Sequence, residues 1–472
     1  MTAAPIAFQS DPGKYKFEGV AELVNGYAEK HSSDAKAPMS VLPCDGIVEL
    51  TDEAPGPGRG MIYLEDLDKA YAIHPSSAYR VTNDAGTIVA ERIAPTPGVD
   101  QVYLSRNQRV DPQTVVVTAA GVQVIESDSA SYILDTDLPE GVINADYVAG
   151  YHAFGYENRT FFLSGLNSAK EIDALDFATF ERRAGKLRRV LEYSGDLYGF
   201  CTEWTEAWRD VADADFAFQP LSFFPRGLLS PMGIAQSDGA LFLVTHDGLV
   251  CRFTSQGFER VSNHSIERLI QEDASQQSIS AMAWTREGHS FVNFTGASWS
   301  RCYDAATGVW HTRKSYGRDN WRARNPIRAW GKTIIQDALT GKLGAFDSET
   351  FTEYGNPLVW SVTSPTLHAA PDGLIIDAFH MDVAVGYGAL SGQGSNPKLM
   401  LEVSKDGGNT FAQYRELELG ARGAYATRLT ARRLGRTSDK GVVFRITISD
   451  PVVRALVGTS IDVRPLKRSF GS

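Results

Sequence analysis

The chain has 472 residues, 43% of them hydrophobic and 22% charged, with a formal net charge of −11. That composition supplies a sizeable core and holds no apolar run near the ~18 residues of a bilayer-crossing helix. It also argues against sequence-independent adhesion to nucleic acid, because each bound phosphate wants a Lys or Arg. The charge is uneven: residues 1–180 carry fourteen more acidic than basic side chains and the rest is slightly basic. Such a balance suits solubility, and equally a wall along which DNA slides without sticking.

The opening stretch "MTAAPIAFQSDPGKYKFEG" has no basic segment ahead of an apolar one and reads as lacking a secretory leader. "GPGRGM" (56–61) is Gly-rich, but Pro57 removes an N–H that a phosphate cradle would use, so it reads as a loop. Short apolar runs follow: "QTVVVTAAGVQVIES" (113–127), "RTFFLSGL" (159–166), "ALFLVTHDGLVCRF" (240–253) and "GVVFRITIS" (441–449). They are rich in Val, Ile, Phe, Tyr and Thr and alternate with turn signals such as "NDAG" and "HDG", the pattern of short antiparallel strands. Two segments predict helices, 168–186 behind a Ser cap and 262–274 with apolar residues at helical spacing. Cys44, Cys201, Cys251 and Cys302 are too scattered for a zinc or redox motif and read as reduced, small apolar side chains.

A weak repeat marks the middle of the chain. Residues 288–313 resemble 331–355, each with a Gly-led strand, a turn, an aromatic-Asp pair, a Thr and another aromatic. The two pairs, Tyr303-Asp304 and Phe346-Asp347, lie 43 residues apart, a period that suits one four-stranded propeller blade. Residues 238–262 and 158–177 fit looser versions. In this reading Asp304 accepts backbone N–H bonds in an Asx turn, Thr307 and Gly308 complete the reversal, and Trp310 packs between blades. The cluster of Trp, His and Arg in 302–323 is then structural rather than a ligand site. The chain changes character after about Asn356, and the flexible tract "GYGALSGQGSNP" (386–397) separates two strand-rich parts. The expected fold is therefore all-β: residues 1–60 as part of a propeller or platform, 61–355 as an imperfect six-bladed β-propeller, and 356–472 as a C-terminal β-sandwich-like domain.

"SKDGGNTF" (404–411) matches the Asp-box of sialidase propeller hairpins, with Asp406 capping the turn and Gly408 supplying a positive φ. One copy is thin support for glycoside hydrolysis, which also needs paired carboxylates or a Tyr nucleophile facing a pocket. Asp66 with Asp68, and Asp173 with Asp176, read as solvated faces. The nine histidines form no HExxH or HxH arrangement, and no GxSxG, P-loop or dinucleotide fingerprint is present. No catalytic residue, cofactor or metal is expected. Basic clusters at 181–189, 313–328 and 428–436 make Arg322, Arg324, Arg428, Arg432 and Arg433 candidate contacts to another subunit or to a DNA path.

Taken in order, many segments resemble one family. They are "NGYAE" (25–29), "GPGRGM", "FFLSGLNSAKEIDALDF" (161–177), "LYGFCTEWTEAWRDVADADFAF" (197–218), "RVSNHSIE" (260–267), "GHSF" (288–291), "CYDAATGVWHTR" (302–313), "NWRA" (320–323), "SKDGGNTF", "GAYATRLTARRLGR" (423–436) and "FRITISDPV" (444–452). The chain resembles the tail nozzle, or packaged-DNA stabilisation, proteins of short-tailed bacteriophages. It departs from them where "NFTGAS" follows the Gly-His strand and where "FAFQP" lacks a Pro between its phenylalanines. The resemblance implies a structural virion protein, made in the host bacterial cytoplasm, whose six copies form a ring below the portal and its adaptor. Packaged DNA would be retained and later conducted through the lumen without sequence-specific binding, with a tail needle, fibres or tailspikes nearby. The alternatives are a receptor- or carbohydrate-binding tail protein and, behind it, a propeller glycosidase.

Overall fold

In the computed structural model, short strands pair with their chain neighbours, and the outcome repeated along the molecule is a four-stranded antiparallel sheet. The described residues are 2–466 apart from 53, 134, 214, 370 and 371. Met1 and Glu53 of the expected N-terminal segment and residues 467–472 of the expected C-terminal domain lie outside them. Seven such sheets succeed one another. Their innermost strands are Gly60–Leu64, Tyr103–Arg106, Val142–Val148, Leu187–Tyr193, Ile234–Ser237, Ser280–Arg286 and Ala323–Ala329, beginning blades 1 to 7. The last packs against the first and closes the circle.

The propeller thus has seven blades, not the expected six. Innermost strands begin 39–47 residues apart, and aromatic-Asp turns mark only the last two repeats clearly, so blades 1 and 2 leave little trace in the pattern. The packing makes the number plain. Seven apolar clusters alternate with the seven sheets, each drawing on two neighbouring blades. Strands second from the axis, such as Asp196–Cys201 and Ala240–Val244, are buried throughout. Each fully buried Leu, Ile, Val or Phe in such a layer contributes about 1.5–3 kcal/mol.

Blade 7 is completed by the start of the chain. Its first three strands are Ala323–Ala329, Lys332–Asp337 and Leu343–Asp347, and its fourth is Gly46–Thr51, antiparallel to Leu343–Asp347. After Asp347 the chain turns, and Thr352–Glu353 pairs outside that inserted strand. The N-terminal strand thereby takes the position that the fourth strand of the repeat would otherwise fill, and the ring has no open seam.

The remaining strands form a sandwich. One sheet orders Gly26–Lys30, Met39–Pro43, Leu456–Leu466, Gly373–Val383 and Leu429–Arg436, with Thr2–Ala3 pairing Leu456–Leu466. The other orders Glu22–Val24, Trp360–Thr363, Val443–Ile448, Lys398–Ser404 and Ala412–Glu418. Phe379 and Phe444 stack between them with centroids 4.0 Å apart. A parallel pairing of Val24 with Thr312 joins the second sheet to the outer edge of blade 6. Residues 2–43 therefore belong to the sandwich and 46–51 to the propeller.

The helix predicted in 262–274 is present as His264–Glu272, capped by the Asn263 side chain on the Ile266 N–H. The helix predicted over 168–186 is not. Ile172–Thr179 is the exposed outer strand of blade 3, paired with Thr160–Ser164. The open edge of that blade recruits the segment, and pairing overrides a marginal helical pattern.

Candidate functional site

The segment 302–323 spans the outer half of blade 6 and the crossing to blade 7. Asp304 ends the third strand of blade 6 and is fully buried. Its carboxylate accepts from the Ala306 N–H at 3.0 Å and the Thr307 hydroxyl at 2.6 Å, while its carbonyl accepts from the Gly308 N–H at 2.8 Å. Gly308 has φ of 75°, which a side chain would strain. Tyr303 packs on Trp310 with centroids 5.0 Å apart, and the Trp310 indole donates to the Val261 carbonyl at 2.9 Å. Trp310 lies in the cluster shared by blades 5 and 6. The second copy of the turn repeats the chemistry, with the Thr350 hydroxyl on the Asp347 carboxylate at 2.5 Å.

Asp304 also does something the sequence did not disclose. Its second oxygen lies 2.8 Å from His289 Nδ1, and His289 Nε2 lies 2.7 Å from the Glu29 carboxylate on the sandwich strand Gly26–Lys30. Carboxylates only accept, so both ring nitrogens must donate and the ring is an imidazolium. Burial pushes His289 toward neutrality, but hydrogen bonds and charge from Asp304 and Glu29 outweigh it and raise its pKa. Tyr27 packs edge-on to the ring, and Lys30 reaches back to the Thr307 carbonyl at 3.0 Å. Together these contacts fasten the sandwich to blade 6.

A raised histidine pKa contributes stability that is complete below about pH 6.5, the ordinary histidine value, and is lost as pH rises through the raised folded value. We therefore expect His289→Gln to lower the unfolding temperature most near about pH 6 and progressively less toward about pH 9. Thermal scans of both proteins across that range check this, and a gap that widens with pH contradicts the imidazolium.

Beside this clamp lies a buried Cys–His pair, with Cys44 Sγ 3.6 Å from His311 Nε2. Such a pair suggests a nucleophile and its base, but its surroundings oppose that chemistry. Burial raises the Cys44 thiol pKa, and burial followed by Arg313 drives the His311 pKa well below normal, so both groups stay neutral. The adjoining void, of about 10 Å³, has room for about one water. All four cysteines are buried and unpaired.

Buried guanidinium groups on backbone carbonyls form a second kind of tie. Arg59 donates to the carbonyls of Asp100, Thr96 and Pro97, holding blade 1 to the crossing into blade 2. Arg454 donates to those of Leu358, Phe351 and Asp450, where the chain leaves the propeller for the sandwich. Nothing in the local sequence distinguishes these arginines from surface ones.

The arginines singled out as contacts separate into three groups. Arg322 spends its fork on the buried Asp337, at 2.8 and 2.5 Å, and lies over the Tyr354 ring. Arg324 faces the propeller axis. Arg428, Arg432 and Arg433 are exposed along the sandwich edge strand Leu429–Arg436, and no ion pair engages them among the described residues. Arg433 has φ of 62° at a bulge beside the Ala378–Arg432 pair, a device that bends an edge strand and discourages further pairing.

The Asp-box lies on the sandwich hairpin between Lys398–Ser404 and Ala412–Glu418 rather than on a blade. Asp406 accepts from Ser404, from the Thr410 N–H and from the Thr410 hydroxyl at 2.6–2.9 Å, and these bonds pull its pKa down to about 2. Gly408 has φ of 93° and donates its N–H to the Ser404 hydroxyl. The box carboxylate is consumed by its own turn. Asp66 pairs with Arg106, and Asp68 accepts from Tyr63 and Trp330, while Asp173 and Asp176 lie on the outer strand of blade 3. No cluster of three or more His, Cys, Asp or Glu side chains suited to a metal occurs among the described residues.

Comparisons with known proteins agree with this architecture. A family model described as the β-propeller of bacteriophage P22 Gp10 matches residues 22–351, and a second, the β-sandwich of the same protein, matches residues 359–464. No curated protein sequence matches the chain. Among solved structures, the WD40 propeller domain of Doa1 is 8% identical, with a TM-score of 0.43 over 64% of this chain and 96% of that one. BamB from Moraxella catarrhalis is 12% identical, with a TM-score of 0.39 over 69% and 97%.

Proposed function

This chain belongs to the bacteriophage P22 Gp10 family of phage tail structural proteins, and on that premise we propose that it forms a homo-hexameric tail nozzle. In this reading six copies close below the portal adaptor, retain packaged DNA, conduct it during ejection without reading its sequence, and carry a needle, fibres or tailspikes. The observation that carries the proposal is the family match through propeller and sandwich in order, over nearly the whole chain. The molecule's own chemistry is consistent with it: the Asp-box carboxylate is occupied by its own turn, and the Cys–His pair is neutral and buried.

A ring built head to tail needs two different patches that fit each other. The unpaired Arg428, Arg432 and Arg433 on the sandwich edge supply a positive one. The outer strand of blade 3, with Glu171, Asp173 and Asp176 around the exposed Leu175, supplies a negative one with an apolar centre. Sedimentation of the purified chain, alone and with its head-to-tail connector, tests the proposal. The expected result is a six-copy ring on the connector, weakened at raised salt and by reversing charge at Arg432. A chain that stays monomeric on connector and virion alike overturns it.

A further inference from the structure

The axis of the propeller holds a cavity of about 190 Å³. Innermost strands of every blade except blade 3 contribute to its wall, among them Met61, Tyr103, Arg189, Ser280, Met282 and Arg324. No Asp or Glu lines it. Arg324 has no hydrogen bond or ion pair for its side chain among the described residues, and its Nε is buried without a partner. Arg189 Nε is also buried without a partner. The Arg189 guanidinium lies over Tyr103 at 5.2 Å and makes one hydrogen bond, from Nη1 to the Pro231 carbonyl at 3.1 Å.

The carboxylates nearest in charge cannot serve either arginine. Asp337 is held by Arg322 and by the Thr340 N–H. Asp146, which acts on Arg189, accepts from the backbone N–H groups of Glu192 and Tyr147. An adjoining cavity of about 400 Å³ shares Arg324 and adds Arg318 and the committed Arg322 against a single acid, Asp100. Two arginines thus line one axial space that holds no acidic side chain. Arginine does not deprotonate to escape burial, so the charge calls for a mobile anion.

We propose that this axial cavity binds a small oxyanion of the phosphate class, held by Arg324 and Arg189. The guanidinium fork presents parallel N–H donors that match two oxygens of one oxyanion, a fit a halide cannot use. The space is large enough for a tetrahedral oxyanion with bound water. Burial pushes the Arg324 pKa down to about 10 against the pull of Asp337, the mark of a cation short of a partner. The site depends on the propeller alone and stands whether or not the ring forms.

The test is thermal unfolding and titration calorimetry of the full chain with inorganic phosphate, against chloride at equal ionic strength. Phosphate should raise the unfolding temperature and saturate, with sulfate competing. Arg324→Gln should abolish the saturable part, Arg324→Lys should weaken affinity about tenfold because it keeps charge without the fork, and the exposed Arg432→Gln should bind as the parent does. Near-ultraviolet circular dichroism separates lost binding from lost fold; if Arg324→Gln does not fold, Arg189→Gln decides by the same reading. A short oligonucleotide should not displace phosphate from the axial site; displacement would assign the arginines to nucleic-acid phosphates and overturn the free-ion site. Equal effects of phosphate and chloride, or undiminished phosphate binding in the folded Arg324→Gln protein, would also overturn it.

Discussion

Replacing Gly46 by valine is expected to open the propeller at blade 7. Gly46 begins the N-terminal strand that completes the blade, and its N–H donates to the Thr350 carbonyl at 2.9 Å. A Cβ at this position would lie 2.3 Å from the Thr350 oxygen and 2.5 Å from that of Thr352. Both are backbone atoms, so no rotamer relieves the contact. Either the turn after Asp347 moves or the strand withdraws, and withdrawal strips Ile47 from its contacts in the cluster with Trp321 and Ile335. Overpacking costs about 1–3 kcal/mol by itself, and a lost Ile contact adds about 2 kcal/mol or more. Because the strand is also the seal of the ring, the damage should be cooperative: a lower unfolding temperature together with new protease cleavage between the sandwich and blade 1. Gly46→Ala should cost nearly as much, since the clash begins at Cβ. A Gly46→Val protein with parental unfolding temperature and parental digestion would show that the seal does not depend on this strand.

The contrast between what the sequence discloses and what it hides has a physical basis. Blade hairpins are local: Asp304, Thr307 and Gly308 complete their turn within five residues, so spacing alone identifies it. The period near 43 residues is likewise a local consequence of four strands and their turns. Closure is not local. Gly46–Thr51 meets Leu343–Asp347 across about three hundred residues, and the strand carries no mark distinguishing a propeller edge from a sandwich strand. The Glu29–His289–Asp304 clamp spans a similar separation, and "GHSF" reads as any strand start. The strand Ile172–Thr179 failed for the opposite reason. Its Asp, Leu and Phe residues satisfy a helical pattern locally, and only the unfilled edge of blade 3 makes it a strand. Arg324 and Arg322, two residues apart, share a basic cluster, yet one is committed to Asp337 and the other faces the axis. Arg324 belongs to the innermost strand Ala323–Ala329, whereas Arg322 precedes it in the crossing from blade 6, and the neighbouring blades set where each side chain goes.

Trp321→Ala should be the most damaging single change in the aromatic-rich segment. The ring is 2% exposed and lies in the cluster between blades 6 and 7, stacked on Phe346 at 5.6 Å and tilted against Trp284 at 5.4 Å. The Arg313 guanidinium lies 3.9 Å above its centroid, and its indole N–H donates to the buried Glu353 carboxylate at 2.7 Å. Truncation leaves a cavity, for which about 3–5 kcal/mol is usual. It also leaves Glu353 short of a donor and Arg313 without its aromatic face; burial already raises the Glu353 pKa. Trp321→Phe keeps most of the volume and loses the hydrogen bond, so its cost should be smaller, about 1.5–3 kcal/mol. Denaturant unfolding of the two variants beside the parent measures both terms. If these aromatic groups formed a ligand site instead of the joint between blades, Trp321→Ala would leave stability within about 1 kcal/mol of the parent, and the structural role assigned to the segment would be wrong.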